Sequence, residues 1–271
     1  MAISDLHQLV AGIVGPPTVY GKVSVTGEAA GIQHTNWYLA GLIGAGSAPG
    51  SGLNGAIFSG TVTGQIPIPA TVSGEQIYLA RWSATHTGNI GMIRLVDKMW
   101  GNVPVVTTTG AQAITSPTWP PRDTAASTSG AGVFLALECS SATGNAGAIT
   151  NTTVTYTNSA GTGSRTATLP SFPATAVAGT WVPLSLQAGD LGVRSVQSIT
   201  LGTSYVSGAI HLVAYRPVAD LAVPNTNIAN AANFMDLGLP SIVDDSVLQM
   251  VYYPTSTAIG TVDGSITWAQ G

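Results

Sequence analysis

What this sequence has least of is charge. Asp, Glu, Lys and Arg together make up 7% of its 271 residues, against roughly 25% in ordinary soluble domains. Lysine is almost absent, with Lys22 and Lys98 alone. A cytoplasmic enzyme covers its surface with mixed charges. A chain without them must cover itself with Thr, Ser, Asn and Gly, or bury much of its surface against partners, and both suit a protein working in a permanent assembly. The formal net charge is −4 and the eight cations are scattered singly, with no basic cluster or stripe. That excludes a nucleic-acid ligand from the expectations. Long apolar runs are missing too. The stretch 37–43 is broken by the glycines at 41, 44 and 46, so no membrane span is expected. The opening MAISDLHQLVAG has no basic segment and carries Asp5 and His7 early, unlike a secretory signal peptide. The single cysteine, Cys139, leaves no internal disulfide framework. Within the apolar run VFLALEC (133–139) it reads as a small buried hydrophobe.

The signatures of chemistry are equally sparse. The four histidines, His7, His34, His86 and His211, are not paired at metal-ligand spacing, and there is no HExxH or CxxC. His211, in AIHLVAY, reads as a packed histidine with a backbone hydrogen bond. No G-x-S-x-G elbow occurs, and serine is too abundant for any one serine to stand out. Asp244-Asp245 and the isolated Asp97, Asp123, Asp190 and Asp263 lack the alternating oxygen ligands and closing Glu of a calcium loop. Asp190 and Asp263 read as turn formers. Three glutamates, Glu28, Glu75 and Glu138, leave little for a glycosidase pair. GAGSAPG at 44–50 is not a dinucleotide fingerprint. No metal, cofactor or catalytic residue is expected, and the chain reads as a non-enzyme.

What is there is turn-punctuated β pattern. Glycine and proline number 33 and 16. A short helix is expected over 4–10, capped by Ser4 and stopped by Gly12, then a strand over 19–26. A Gly/Ser loop fills 44–55, followed by short strands within 56–64, 65–72 and 75–84. Residues 90–100 fit a buried strand or a short helix. Three prolines and a Ser/Thr/Ala/Gly run make 115–130 the clearest boundary. Beyond it, strands are expected at 133–139, 149–157, 165–169, 180–186, 193–201 and 209–215, at the spacing of an antiparallel sandwich. A short helix at 227–236 and strands at 248–253 and 265–268 complete the pattern. No period of 20–50 residues repeats, so a solenoid or propeller is not expected.

Several stretches carry a resemblance: IRLVDKMWGN (93–102), VVTTTGAQAITSPTWPPRD (105–123), the run 147–205 beginning GAITNTTVTYTNSAGTGSRTATLP, and GAIHLVAYRPV (208–218). They resemble a group of tailed-bacteriophage structural proteins. The resemblance covers nearly half the chain, implies a virion role and a β-sandwich, and brings no catalytic signature with it. Residues 1–92 and those after 220 take no part in it.

The reading is an all-β protein with an antiparallel β-sandwich of jelly-roll or Greek-key type. A β-rich N-terminal region would span 1–124, the sandwich 125–220 and a C-terminal extension 221–271. The expected function is a capsid decoration (cement) protein, found in virions assembled in the bacterial cytoplasm and binding the major capsid protein and copies of itself as a homo-oligomer. The alternatives are a tail or fibre structural protein, a carbohydrate-binding adhesin module and, last, a glycan depolymerase. The ends are expected to touch neighbouring subunits, through Leu6 and Leu9 at one and Phe234, Tyr252 and Tyr253 at the other. Trp119, between prolines in SPTWPPRD, is expected at a subunit contact.

Overall fold

The structure is a computed structural model that describes residues 3–50, 52–60 and 62–271. Met1, Ala2, Ser51 and Thr61, which fall within the expected N-terminal contact segment, the Gly/Ser loop and the first short strand after it, lie outside the described residues. In chain order the elements begin with helix α1 (Leu6–Ala11) and strands β1 (Thr18–Val23), β2 (Gln33–Thr35), β3 (Ala56–Ile57), β4 (Ile77–His86) and β5 (Gly91–Gly101). The middle of the chain supplies β6 (Ala111–Ala113), β7 (Phe134–Ser141), β8 (Thr153–Asn158), β9 (Arg165–Thr168), β10 (Thr180–Pro183) and β11 (Val193–Thr200). Then follow β12 (Ala209–Val223), β13 (Asn230–Asn233), α2 (Phe234–Leu237), β14 (Ser241–Ile242), β15 (Leu248–Pro254) and β16 (Thr261–Gln270).

The protein is an all-β antiparallel sandwich, as the alternation predicts, and one of its sheets closes on itself. That sheet runs β12-β7-β10-β2-β15-β5, and β5 pairs with β12 to complete a six-stranded barrel, with β3 added alongside β5. A second sheet, β1-β16-β4-β13 with β14 also on β4, covers one side of the barrel. A third, β6-β11-β8-β9, covers another.

Period-two alternation assigns the faces. On β7, Leu135, Leu137 and Cys139 face the third sheet, where they pack with Val154, Tyr156, Val196 and Ile199. On β5 and β15, Ile93, Leu95, Leu248, Met250 and Tyr252 face the second sheet and pack with Leu79, Trp82, Ile266 and Trp268. The intervening positions, among them Val96, Ala136, Trp181, Val213, Tyr215 and Val251, fill the barrel. The β5–β12 register shifts between Ala214 and Tyr215, opposite Trp100 and Lys98, so that Met99 is unpaired. This bulge lets consecutive Met99 and Trp100 enter the same core while Lys98 turns into the barrel.

Several sequence expectations are corrected. Strand β5 (Gly91–Gly101) decides between the strand and the helix that the sequence left open over 90–100. The N-terminal helix is capped by Asp5, whose side chain accepts from the Gln8 amide, rather than by Ser4. Residues 65–72 form no strand, and within 56–64 only β3 is one. Within 227–236 the helix begins only at Phe234, as α2, and Asn230–Asn233 before it form β13. Asp263 lies in β16 opposite Gly21, not in a turn. Asp190 does follow a turn, its amide donating to Gln187 O.

The expected division at 125 and 220 does not separate the sheets. β2 and β5 from the first region and β15 from the last are staves of the same barrel as β7, β10 and β12. Loop 115–130 is likewise packed rather than a linker. Asp123 accepts from the amides of Ala125, Ser127, Gly130 and Ala131 and from the hydroxyls of Ser127 and Ser129. The loop closes onto β11 through an Ala131–Gly192 bridge. There a Cβ on Gly192 would lie 2.1 Å from Gly130 O, so only glycine permits the approach. A fragment spanning 125–220 keeps three of the six barrel strands and leaves their edges open. It is expected to give no cooperative thermal transition, whereas the full chain unfolds in one. A sharp transition for the fragment alone would overturn this.

Candidate functional site

A fully buried polar cluster lies inside the barrel. β5 directs Lys98 inward and β7 directs Glu138 inward, on either side of β12. Lys98 Nζ is 2.5 Å from Glu138 Oε1, and both side chains are fully buried. The Tyr38 hydroxyl donates to the same oxygen at 2.5 Å. Glu138 Oε2 has no hydrogen-bond partner. The ammonium lies 4.8 Å from the ring centres of Trp37 and Phe58 and 5.8 Å from that of Tyr38, an aromatic enclosure that offsets part of its lost hydration. Burial pulls the Lys98 pKa down, against the attraction of Glu138. Burial, followed by the charge of Glu138, pushes the Tyr38 phenol well up, so it remains a donor.

His211 borders this cluster from β12. Its Nδ1 lies 3.0 Å from Asn102 O, and a carbonyl only accepts, so Nδ1 carries the proton and Nε2 accepts from Ser140 Oγ at 2.6 Å. The expected backbone hydrogen bond of His211 is therefore present. Burial lowers its pKa and keeps the ring neutral. A hydroxyl, an imidazole and an orienting carbonyl are the parts of a nucleophile–base pair. Neither Ser140 nor His211 lines the pocket beside Arg194 or the one between α1 and α2.

The second buried centre is an ion triad. Asp97 Oδ2 lies 3.5 Å from Arg122 Nε and 3.8 Å from Arg216 Nη2, and its carboxylate accepts from Ser246 Oγ and the Val247 amide. Arg122 donates to the carbonyls of Phe58 and Asp245. One guanidinium thus ties β5 to the loops at 58 and 245. Among the described residues no group of three or more His, Cys, Asp or Glu is placed to hold a metal ion. Nor, among the described residues, is any helix long and apolar enough to cross a membrane.

Glu28 is a third buried acid. Its Oε1 accepts from the Val25 amide at 3.0 Å and its Oε2 has no partner. Burial pushes its pKa up to about 7. A carboxyl with a raised folded-state pKa binds its proton more tightly when folded, so its contribution is full at low pH and is lost as pH rises through about 7. Glu28→Gln removes that loss. The variant is expected to be more stable than wild type at pH 8, by about 1–3 kcal/mol, and to match it near pH 4. Parallel urea titrations at both pH values measure the difference, and equal stabilities at pH 8 would contradict it.

On the surface, an open pocket of about 460 Å³ is lined by Ser116, Pro117, Thr118, Ser127, Thr128, Ser129, Arg194 and Ser195. Its wall is the loop that Asp123 organises. A smaller apolar pocket of about 250 Å³ lies between α1 and α2, lined by Ile3, Leu6, Leu9, Phe234 and Leu239.

The structure brings Leu6, Leu9 and Phe234 together around this pocket, with Leu6 exposed, Leu9 buried and Phe234 half-buried. The other expected contact residues lie elsewhere. Tyr252 is fully buried beneath the second sheet and stacks on His86 at 4.8 Å. Tyr253 points into the barrel, with the Arg94 guanidinium over its ring. Trp119 is the clearest correction: it is 1% exposed, its indole donates to Val193 O at 2.7 Å, and it packs on Trp100. The prolines around it prevent regular structure but not burial. Nor is 221–271 an arm free to leave its own chain, since β16 is paired on both sides, with β1 and β4. The cluster around Lys98 escaped sequence reasoning. The signal available was Lys98 itself, one of two lysines, set among Leu95, Val96, Met99 and Trp100.

No protein-family model matches the chain, and no curated protein matches it. Among solved structures, a chain from "Structure of infectious bursal disease virus Gx strain" aligns over 93% of this chain and 67% of that one, at 12% identity and a TM-score of 0.13. That likeness is too slight to carry an argument.

Proposed function

We propose that this chain is a structural protein of a bacteriophage particle, a decoration protein that binds the assembled head lattice and copies of itself. The observation that carries the reading is where the charge goes. Of the eight cations, Lys22, Lys98, Arg122 and Arg216 are buried. Arg94 and Arg165 are held by Asp220 and Asp190. Arg81 and Arg194 alone remain exposed without a carboxylate partner. Asp5, Glu75, Asp236, Asp244 and Asp245 are exposed without a cation partner, so the exterior carries few charges, more of them acidic than basic, among hydroxyls, amides and apolar side chains such as Leu42 and Leu191. Such a surface suits a protein held among fixed neighbours better than one kept apart from them by net repulsion. Binding only the assembled lattice stabilises that lattice by mass action. The apolar pocket between α1 and α2, flanked by exposed Leu6, Val10 and Met235, is the face assigned to subunit contact.

The test is to add purified protein to particles that lack it and to locate it by electron microscopy. Saturable binding on the head, with a raised temperature of head disruption, is the expected result. A Leu6→Glu, Val10→Glu double variant is expected to keep the fold and lose occupancy. Labelling confined to the tail would replace the head assignment by the tail one, and no binding to any particle would overturn the reading. The hydroxyl-lined pocket with Arg194 at its edge favours one second reading, recognition of an acidic glycan. Binding on a glycan array that Arg194→Ala abolishes would support it.

A further inference from the structure

Three observations coincide at Lys98. Its Nζ and Glu138 Oε1 are 2.5 Å apart, with both side chains wholly buried. Tyr38 donates a hydrogen bond to that same carboxyl oxygen, while Oε2 has no partner. Trp37, Phe58 and Tyr38 enclose the nitrogen. A buried ion pair satisfied on one oxygen only is a poor resting arrangement, because the desolvation of both charges is incompletely offset. It is a good reacting one, with the amine nitrogen held against the carboxyl group and both side chains away from water.

We propose that Lys98 and Glu138 become joined in the folded protein by an intramolecular isopeptide bond. A proton first passes from the ammonium to the carboxylate, leaving a neutral amine beside a carboxylic acid. Burial, which pulls the Lys98 pKa down, favours this transfer. The amine lone pair attacks Glu138 Cδ. The carbonyl opens towards Oε2. Oε1, which received the ammonium proton across the 2.5 Å contact and accepts the Tyr38 hydrogen bond, takes one further proton from the nitrogen and leaves as water, and the carbonyl re-forms on Oε2. One amide is made and one water is lost, with no oxidant, metal or second protein. The bond would clamp β5 to β7 across β12 inside the barrel, joining positions 40 residues apart. This inference is independent of the particle assignment.

The test is the intact mass of the purified full-length chain under denaturing conditions. The expected mass is one water lighter than the sequence requires. Proteolysis of the denatured chain is expected to yield a branched peptide containing both Lys98 and Glu138. Lys98→Met is expected to show the full mass of its own sequence. Tyr38→Phe is expected to leave a measurable uncrosslinked fraction after purification, and an unchanged fraction would remove Tyr38 from the step. A wild-type chain that keeps its full mass after prolonged incubation in the folded state overturns the proposal. So does a water loss that maps to a succinimide at Asp263-Gly264 instead of a branched peptide.

Discussion

Arg122→Ala is expected to lower the unfolding free energy by about 3–5 kcal/mol, the range found when one partner of a buried ion pair is removed. The guanidinium is 1% exposed. Without it, Asp97 keeps only the more distant Arg216 as a counter-charge, at 3.8 Å. The carbonyls of Phe58 and Asp245 lose a donor as well, and the cost of about 1–3 kcal/mol for an unsatisfied buried acceptor is an upper bound here, because Phe58 is half-buried and Asp245 exposed. Part of this overlaps with the ion-pair loss, so the two figures do not add. The comparison variant is Arg94→Ala, which breaks an exposed pair with Asp220 and is expected to cost about 0–1 kcal/mol. Urea titration of the three proteins separates the two cases. Equal midpoints for Arg122→Ala and wild type would show that the triad contributes nothing to the fold.

Trp119→Ala is expected to cost a similar amount, about 3–5 kcal/mol, as large aromatic truncations in cores do. The ring fills space between the barrel and the third sheet, tilted on Trp100 with centroids 5.5 Å apart. Its indole N–H is the partner of Val193 O, at the start of β11, beside the point where the Asp123 loop docks. Trp119→Phe keeps most of the contact and removes the donor, and is expected to lose about 1–2 kcal/mol. A wild-type unfolding midpoint for Trp119→Ala, together with weaker subunit association, would restore the interface role that the sequence suggested.

These two residues mark where sequence reading stopped short. Arg122 and Trp119 both sit in SPTWPPRD, a segment whose prolines exclude helix and strand and therefore read as surface. Irregular backbone is not the same as exposed side chain. Here the loop's backbone is satisfied by Asp123, leaving the Arg and Trp side chains free to turn inward. The residues expected at subunit contacts are divided between core and surface for a related reason. Tyr252 and Tyr253 lie in a segment with few charges, which reads equally as an unpaired edge or as a fully buried stave. Leu6, Leu9 and Phe234 do meet, because α1 and α2 pack over the same end of the second sheet.

The sequence by itself determined most of the longer strands, their antiparallel pairing and the scarcity of charge. Alternation such as that of 149–157 and the turn residues between strands are local facts, fixed by a two-residue repeat and by backbone preference. Only the tertiary structure decided which strand lies beside which. β2, β5 and β15, from opposite ends of the chain, close a barrel with β7, β10 and β12, and so erase the domain boundaries read from composition. Alternation states which residues share a face but not what that face meets. The meeting of Lys98, Glu138 and Tyr38 depends on barrel closure and on a single bulge at Met99, neither of which leaves a mark in the order of residues.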